Sequence, residues 1–135
     1  MTNKILTITG RPKRFGRLDR YEIRIMDTHI YLTGKSFSYL VKLANALKSG
    51  GTGWIHKHDL AHDGLQSRYI YNLKHEMGSP RDYDAPIPSP FILNDRDGNY
   101  KLNFTPGQVA FEPEYLLSFP DWEINQIARE VSNEK

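Results

Sequence analysis

Residues 67–77 combine side chains that could contact a nucleic acid with apolar residues that could hold them in place. Ile70, Leu73 and Met77 recur at helical spacing, so they predict an amphipathic helix with one buried face. The opposite face would present cationic, amide and aromatic side chains: Arg68, Tyr69, Tyr71, Asn72, Lys74 and His75. Arginine and asparagine can make paired hydrogen bonds to base edges in the major groove, and lysine and tyrosine can contact phosphates. The same pattern is also typical of an ordinary solvated helix face.

Two other segments have features of ligand-binding motifs, but each lacks a necessary part. Gly34-Lys35-Ser36 ends like a phosphate-binding loop, yet His29 stands where that motif requires its first glycine. His58 and His62 have the spacing of two zinc ligands on one helix face, and His56 lies nearby. No third ligand is evident and the predicted helix has only about two turns, so we expect no metal site.

Four loop aspartates are the remaining candidates for acid–base chemistry: Asp82, Asp84, Asp95 and Asp97. Acidic residues in loops are usually solvated turn residues, and nothing in this spacing selects a catalytic pair. The chain also contains no cysteine, which excludes disulfides, thiolate zinc sites and a cysteine nucleophile. We therefore expect neither an enzyme nor a cofactor-binding protein.

Composition and charge favour a single globular domain with a polyanionic partner. Hydrophobic residues make up 39% and charged residues 25% of the 135 residues, which are average values for globular proteins. We see no secretion signal and no apolar stretch of membrane-spanning length, so we expect a cytoplasmic protein. Six cationic residues and one acidic residue lie within 1–20, whereas 105–135 hold two cationic and six acidic residues. A basic body with an acidic tail suits a polyanion, although solubility alone can produce it.

The patterning predicts an α+β fold in which strands come first, helices follow and a hairpin closes the core. Gly10-Arg-Pro12 should end the first strand, and Asp27-Thr28 should form the turn between the next two. Asp95–Gly98 should form the turn of the later hairpin. The expected elements are strands over 5–9, 21–26 and 29–33, a helix from Thr33 through Leu47, an extended pair at 54–55, a helix over 57–63, a helix over 68–77 capped by Ser67, a loop over 78–90, strands over 91–94 and 99–104, and a helix over 120–132.

Four motifs follow one another in an order that is shared with a known family. They are a sheet pattern (Phe15-Gly-Arg-Leu, Tyr21-Glu-Ile-Arg-Ile and Ile30-Tyr-Leu-Thr33), a helix start (Leu32-Thr-Gly-Lys-Ser-Phe37-Ser-Tyr-Leu40), a helix end (Ile70-Tyr-Asn-Leu73-Lys74-His-Glu-Met77) and a hairpin (Arg96-Asp-Gly98-Asn-Tyr100-Lys101-Leu102). Over 15–104 the chain resembles the effector domain of OmpR/PhoB-type response regulators, and we expect no receiver domain. The resemblance implies a winged helix-turn-helix domain at 1–104, with an N-terminal antiparallel sheet, a three-helix core and a C-terminal β-hairpin wing. Residues 105–135 would be a C-terminal extension with one extra helix.

The resemblance also implies how the domain would contact DNA. Helix 67–77 would enter the major groove, and Arg96 at the tip of the wing would reach a minor groove or its phosphates. A narrow minor groove concentrates negative potential and therefore attracts arginine. The basic N-terminal segment within residues 1–20, together with Lys35, Lys57 and Lys74, would add phosphate contacts that supply affinity.

We therefore predict sequence-selective binding of double-stranded DNA and a role in transcriptional regulation. A protein–protein interaction module on the same fold is the alternative, favoured by Tyr71 in the helix and by Asp95 and Asp97 in the wing. Binding of structured RNA by shape is a third possibility. One apolar stripe on the last helix either covers the domain's own sheet or makes a homodimer: it consists of Ile124, Ile127, Ala128 and Val131.

Overall fold

The computed structural model describes residues 4–49, 51–60, 66–78, 83 and 90–133, and within them it has an α+β architecture with two sheets. The strands are β1 (Leu6–Phe15), β2 (Leu18–Ile25), β3 (Thr28–Leu32), β4 (Ile55–His56), β5 (Ile92–Asn94), β6 (Asn99–Leu102) and β7 (Val109–Phe111). The helices are α1 (Gly34–Lys48), α2 (Lys57–Leu60), α3 (Gln66–Met77), α4 (Pro113–Leu116) and α5 (Trp122–Asn133), with a 3-10 turn at Pro106–Gln108. The predicted α+β class is confirmed.

The first sheet has the strand order β3-β2-β1-β7. The pairs β1–β2 and β2–β3 are antiparallel, as predicted, because short turns connect them. β7 comes from a distant part of the chain and pairs in parallel with β1, so the sheet is mixed rather than purely antiparallel. Sequence reasoning missed this strand because three residues are too few to show an alternation.

β1 continues through Gly10-Arg-Pro12, where the sequence pattern predicts that it ends. Its register with β2 shifts between Ile8 and Pro12, as at a β-bulge. Gly10 lies in this irregularity with a φ of 69°, a conformation that a residue without a Cβ adopts at little cost. The strand therefore bends at Gly10 and goes on to Phe15.

The turn between β2 and β3 lies at Met26-Asp27, one residue before the predicted Asp27-Thr28. Thr28 pairs with Ile25 and so belongs to β3. Met26 consequently adopts a φ of 55°, which is unfavourable for a residue with a Cβ.

The second sheet has the order β4-β6-β5, and its neighbouring strands are antiparallel. β5 and β6 form the predicted hairpin, with Ile92 opposite Leu102 and the turn at Asp95–Gly98. β4, expected at 54–55, lies at Ile55–His56. In chain order α2 and α3 come between β4 and β5, so both helices connect an edge strand of this sheet to the hairpin.

α1 is the central helix, since it contacts β2, β6, α3 and α5. Its predicted stripe is buried throughout: Phe37, Leu40, Val41, Ala44 and Leu47. α3 begins at Gln66, so Ser67 lies within the helix rather than capping it. Of the expected helix over 57–63, only the part through Leu60 lies within the described residues. The expected loop over 78–90 falls mostly outside them.

Residues 105–133 pack on the same apolar core as the rest of the chain. Ile124, Ile127 and Ala128 of α5 are buried there. The apolar stripe of this helix therefore covers the chain's own core, and a homodimer through that stripe is not supported. The domain boundary expected at residue 104 stays a prediction. In the part of the chain that the structure describes, no helix is long and apolar enough to cross a membrane.

Candidate nucleic-acid interface

α3 buries the predicted apolar stripe and turns most of the predicted contact residues towards solvent. Ile70, Leu73 and Met77 are at most 2% exposed. At 3.6 residues per turn, the side opposite this stripe is formed by four residues: Arg68, Tyr71, Asn72 and His75. Three of them are exposed, and Asn72 is half-buried. Lys74 is half-buried at one border of this side, where its long side chain can still carry its charge outward.

Tyr69 does not belong to this outer side, contrary to the sequence-based expectation. Its ring is half-buried and packs edge-on against the buried ring of Tyr39, with 5.6 Å between the centroids. The Nζ of Lys35 lies 5.1 Å from the centroid of the Tyr69 ring. Tyr69 therefore helps to fix α3 on α1. Its spacing of four residues from buried Leu73 was the signal for this packing role.

Tyr71 and His75 form a stacked pair on the outer side of α3. Their ring centroids are 6.4 Å apart and the planes differ by 10°. Residues four positions apart are neighbours on a helix surface, which brings the two rings together. Because 68% of Tyr71 is exposed, the edges of the two rings are accessible and can form hydrogen bonds with a ligand.

Glu76 is the acidic residue of α3, and its carboxylate is bound to the N-terminus of α1. Its oxygens accept hydrogen bonds from the backbone N–H of Thr33 at 2.7 Å and from the Ser36 Oγ at 2.6 Å. Thr33 also donates from its hydroxyl at 3.2 Å, whereas it makes no capping bond with its own side chain. Sequence reasoning overlooked Glu76, because this partner is 43 residues away. The carboxylate of α3 is thus bound by the start of α1, whereas Arg68 on the outer side of α3 is exposed.

The turn of the β5–β6 hairpin is built on the carboxylate of Asp95. It accepts hydrogen bonds from the backbone N–H of Asp97 at 2.8 Å and from the Nδ2 of Asn99 at 2.7 Å. These bonds, led by that from Asn99, hold the pKa of Asp95 below its ordinary value. One of the two aspartates flanking Arg96 therefore shapes the turn as an ionised carboxylate, and its negative charge remains beside Arg96.

Arg96 occupies the tip of this turn in a left-handed conformation with a φ of 68°. Its backbone N–H donates to the Oδ1 of Asn94 at 2.8 Å, and its side chain is exposed. A left-handed residue with a Cβ costs roughly 1–2 kcal/mol relative to the usual backbone. A strained arginine whose side chain is directed to solvent is a reason to look for a function of that side chain.

The junction of β4 and α2 packs against the turn of the β5–β6 hairpin. The backbone N–H of Lys57 donates to the carbonyl oxygen of Gly98 at 2.7 Å. A Cβ on Gly98 would lie 3.2 Å from the Nε2 of His56, and the rings of His56 and His58 have centroids 4.9 Å apart. Lys57 and two imidazoles therefore accompany Arg96 on this part of the surface.

Trp54 and Lys101 form a further cation–aromatic pair beside the hairpin that sequence reasoning did not assign. The Lys101 Nζ lies 6.0 Å from the Trp54 ring, and 38% of Trp54 is exposed. Alternation along β6 was the available signal, since Tyr100 and Leu102 are buried and Lys101 must point the other way.

The described residues give little support to a phosphate-binding loop, a metal site or a catalytic aspartate pair. Ser36, in the segment that resembles a phosphate-binding loop, donates its hydroxyl to Glu76, so a carboxylate already occupies this helix start. No cluster of three metal-ligating side chains occurs within the described ranges, although His62 lies outside them. Asp82 and Asp84 also lie outside the described residues.

Comparisons with protein-family models, curated proteins and solved structures give no match. The resemblance to OmpR/PhoB-type effector domains therefore rests on the sequence motifs quoted above, and the function has to be argued from the geometry of α3 and the β5–β6 hairpin.

Proposed function

We propose that this protein is a winged-helix transcriptional regulator that binds double-stranded DNA in a sequence-selective manner. In this proposal α1, α2 and α3 are the three-helix core, α3 is the recognition helix and the β5–β6 hairpin is the wing. The strand order β4-β6-β5, with α2 and α3 inserted between β4 and β5, supports this assignment. The observation that carries the proposal is the outer side of α3, where Arg68 and Asn72 project while the carboxylate of Glu76 is bound elsewhere.

The outer side of α3 supplies base readout. Arg68 can donate two hydrogen bonds to a guanine edge, and Asn72 can pair its amide with adenine. Tyr71 and His75 contact phosphates, sugars or thymine methyl groups with their stacked rings. Lys74, at the border of this side, contacts the sugar–phosphate backbone of the DNA.

The wing and its neighbours supply backbone and minor-groove contacts. Arg96 reaches the minor groove, where negative potential is strongest if the groove is narrow. Lys57, which packs on the turn at Gly98, and Lys101, which lies over Trp54, neutralise phosphates. Lys35, which lies over the Tyr69 ring, contributes charge next to α3, whereas Tyr69 itself acts by positioning that helix.

A mobility-shift assay with genomic duplex fragments across a salt series tests the proposal. We expect one or a few fragments to bind and their affinity to fall as salt rises, because counterions are released from the neutralised phosphates. Arg68→Ala and Asn72→Ala should each lower the affinity for the selected fragment by about 5- to 150-fold. Arg129→Ala, which removes an exposed cation from α5, is the matched control and should bind normally. Absence of binding at low salt rejects the proposal.

The second candidate is a protein–protein interaction module on the same fold. It is favoured by the exposure of Tyr71 and by the exposed Asp97 beside Arg96, since tyrosine and arginine are enriched in protein interfaces. A pull-down with wild-type protein and with the double variant Arg68→Ala/Arg96→Ala separates the two functions. A protein partner that is retained by the double variant, together with an absence of duplex binding, favours this candidate.

A further inference from the structure

The β1–β2 hairpin continues beyond the sheet as an exposed arm of residues 11–20. The last pair that β2 makes with β3 joins Tyr21 to Leu32, whereas β1 and β2 stay paired out to Phe15 and Leu18. Residues 11–19 are all exposed. At about 3.3 Å per residue, the arm extends roughly 15 Å from the last three-stranded pair. It is a two-stranded projection rather than a flexible tail.

The tip of the arm is a tight turn at Gly16-Arg17. Gly16 has a φ of 66°, and primed two-residue hairpin turns require a positive φ at this position. The bend at Gly10 lies at the base of the arm. Local turn chemistry at both ends therefore gives the arm a defined shape.

The arm is strongly cationic. It carries five cations and one acid: Arg11, Lys13, Arg14, Arg17, Arg20 and Asp19. The Nε of Arg14 lies 3.9 Å from the Oδ1 of Asp19, and the two side chains are 69% and 51% exposed. A pair as long and as exposed as this gains little free energy, so the arm presents its positive charge to a partner.

One face of the arm combines these charges with apolar groups. Lys13 and Arg20 are paired across the strands, and so are Phe15 and Leu18, which places all four side chains on the same face. On this face the Phe15 ring packs against the Tyr31 ring of β3 at 5.7 Å, and the Lys13 Nζ lies 4.8 Å from the Tyr31 ring. Leu18, at the tip, is 66% exposed. An exposed apolar side chain next to Arg17 suits a ligand with an anionic backbone and an apolar interior.

The base of the arm lies close to one end of α3. Leu32, which pairs with Tyr21, is followed by Thr33, whose N–H donates to Glu76 near the C-terminus of α3. The end of the sheet from which the arm projects therefore lies beside the C-terminal end of α3. The spacing of phosphates along one strand is about 3.4 Å per base pair, so an arm of this length corresponds to roughly four base pairs.

From this placement we propose that the arm is a second DNA-binding element, which grips the duplex beside the segment contacted by α3. Its arginines bind phosphates on both sides of a minor groove, and Leu18 packs into that groove at the tip. Apolar wedges on cationic elements are a general means of widening and bending the minor groove. This inference rests on the proposed function, and it adds affinity and DNA bending without base readout.

Hydroxyl-radical footprinting on the fragment selected in the mobility-shift assay tests the arm. The double variant Arg11→Gln/Arg17→Gln should lose the protection of roughly four base pairs at one flank and keep the central protection. Its affinity should depend less on salt, by about 0.9 in the slope of log affinity against log salt for each lost contact. Leu18→Ser should lower DNA bending and affinity without changing that slope.

The variant Arg129→Gln is the control for loss of charge, because it removes a cation from an exposed position outside the arm. It should leave the flank protection intact. Unchanged footprints in both arm variants, alongside weaker binding by Arg68→Ala, overturn the arm proposal and leave the proposed function standing. Absence of duplex binding by the wild-type protein overturns both. Since the arm side chains are exposed, thermal unfolding should be the same for every variant.

Discussion

The carboxylate of Glu76 binds the backbone N–H of Thr33 at 2.7 Å and thereby ties the C-terminal end of α3 to the first turn of α1. The unpaired N–H groups and the positive end of a helix dipole favour an acceptor with negative charge at this place. A residue on the candidate recognition helix thus acts as the cap of the central helix.

Glu76→Ala should destabilise the protein by about 1–2 kcal/mol, because it removes a charged cap from α1. Glu76→Gln should have a smaller effect, since an amide oxygen still accepts hydrogen bonds but carries no charge. Urea denaturation monitored by circular dichroism measures both. Glu130→Gln, at an exposed position of α5, is the control and should change the free energy of unfolding by less than about 0.5 kcal/mol. Equal stability of Glu76→Ala and wild type contradicts a capping role.

Arg96→Gly should change stability and DNA binding in opposite directions. Glycine adopts a φ of 68° without strain, so we expect a gain of about 0.5–1 kcal/mol in the free energy of unfolding. Duplex affinity should fall because the cation at the tip of the wing is lost. Paired denaturation and mobility-shift measurements test this. Asp97→Gly is the neighbouring control, which should lower stability slightly and should not weaken DNA binding. An Arg96→Gly protein that binds DNA as well as wild type removes Arg96 from the interface.

Gly10→Ala should destabilise the protein more than Gly16→Ala. Both glycines have a positive φ, of 69° and 66°. A Cβ on Gly10 would also lie 2.9 Å from the Cδ2 of Leu116, whereas a Cβ on Gly16 meets nothing within 4 Å. We expect a loss of roughly 1–2 kcal/mol at Gly16 from backbone strain alone, and a larger loss at Gly10. Thermal unfolding of the two variants measures the difference, and equal losses would mean that Leu116 makes room for the Cβ.

Glu22 should make the stability depend on pH. Its buried carboxylate accepts hydrogen bonds from the Thr9 Oγ1 at 2.8 Å and from the His29 Nδ1 at 2.9 Å. Burial by itself raises the pKa of Glu22, but these bonds and the nearby charges of His29 and Arg24 together bring the pKa below 4.5. The pKa of Glu22 is lower in the folded state than in the unfolded state, so its carboxylate contributes its full stabilisation at a pH above the unfolded-state pKa. This stabilisation is lost as the pH falls through the folded-state pKa.

The measurement compares wild type with Glu22→Gln by urea denaturation at neutral pH and at a pH of about 3. Wild type should be the more stable protein at neutral pH, and its advantage should shrink in acid. An advantage that grows in acid reverses the sign of the pKa argument.

Local chemistry explains the elements that could be predicted from the sequence. The alternation of Tyr21 through Ile25, the helical stripe of Ile70, Leu73 and Met77, and the Asp-Gly turn at Gly98 each depend on near neighbours. For the same reason the outer side of α3, with Arg68 and Asn72, could be identified once the buried side was assigned. The predicted binding of DNA by these residues stays a prediction that the experiments above test.

Distant contacts decided what the sequence could not. β7 exists because Val109–Phe111 finds an open edge on β1, and Tyr69 is a packing residue because Tyr39 lies beneath it. Glu76 is a cap because Thr33 meets it across 43 residues. The sequence by itself therefore determined the strands and helices with clear periodicity, such as β2, α1 and α3, and which face of each helix is apolar, since short-range periodicity encodes both. Only the tertiary structure decided which polar groups are used inside the fold and which are left for a partner.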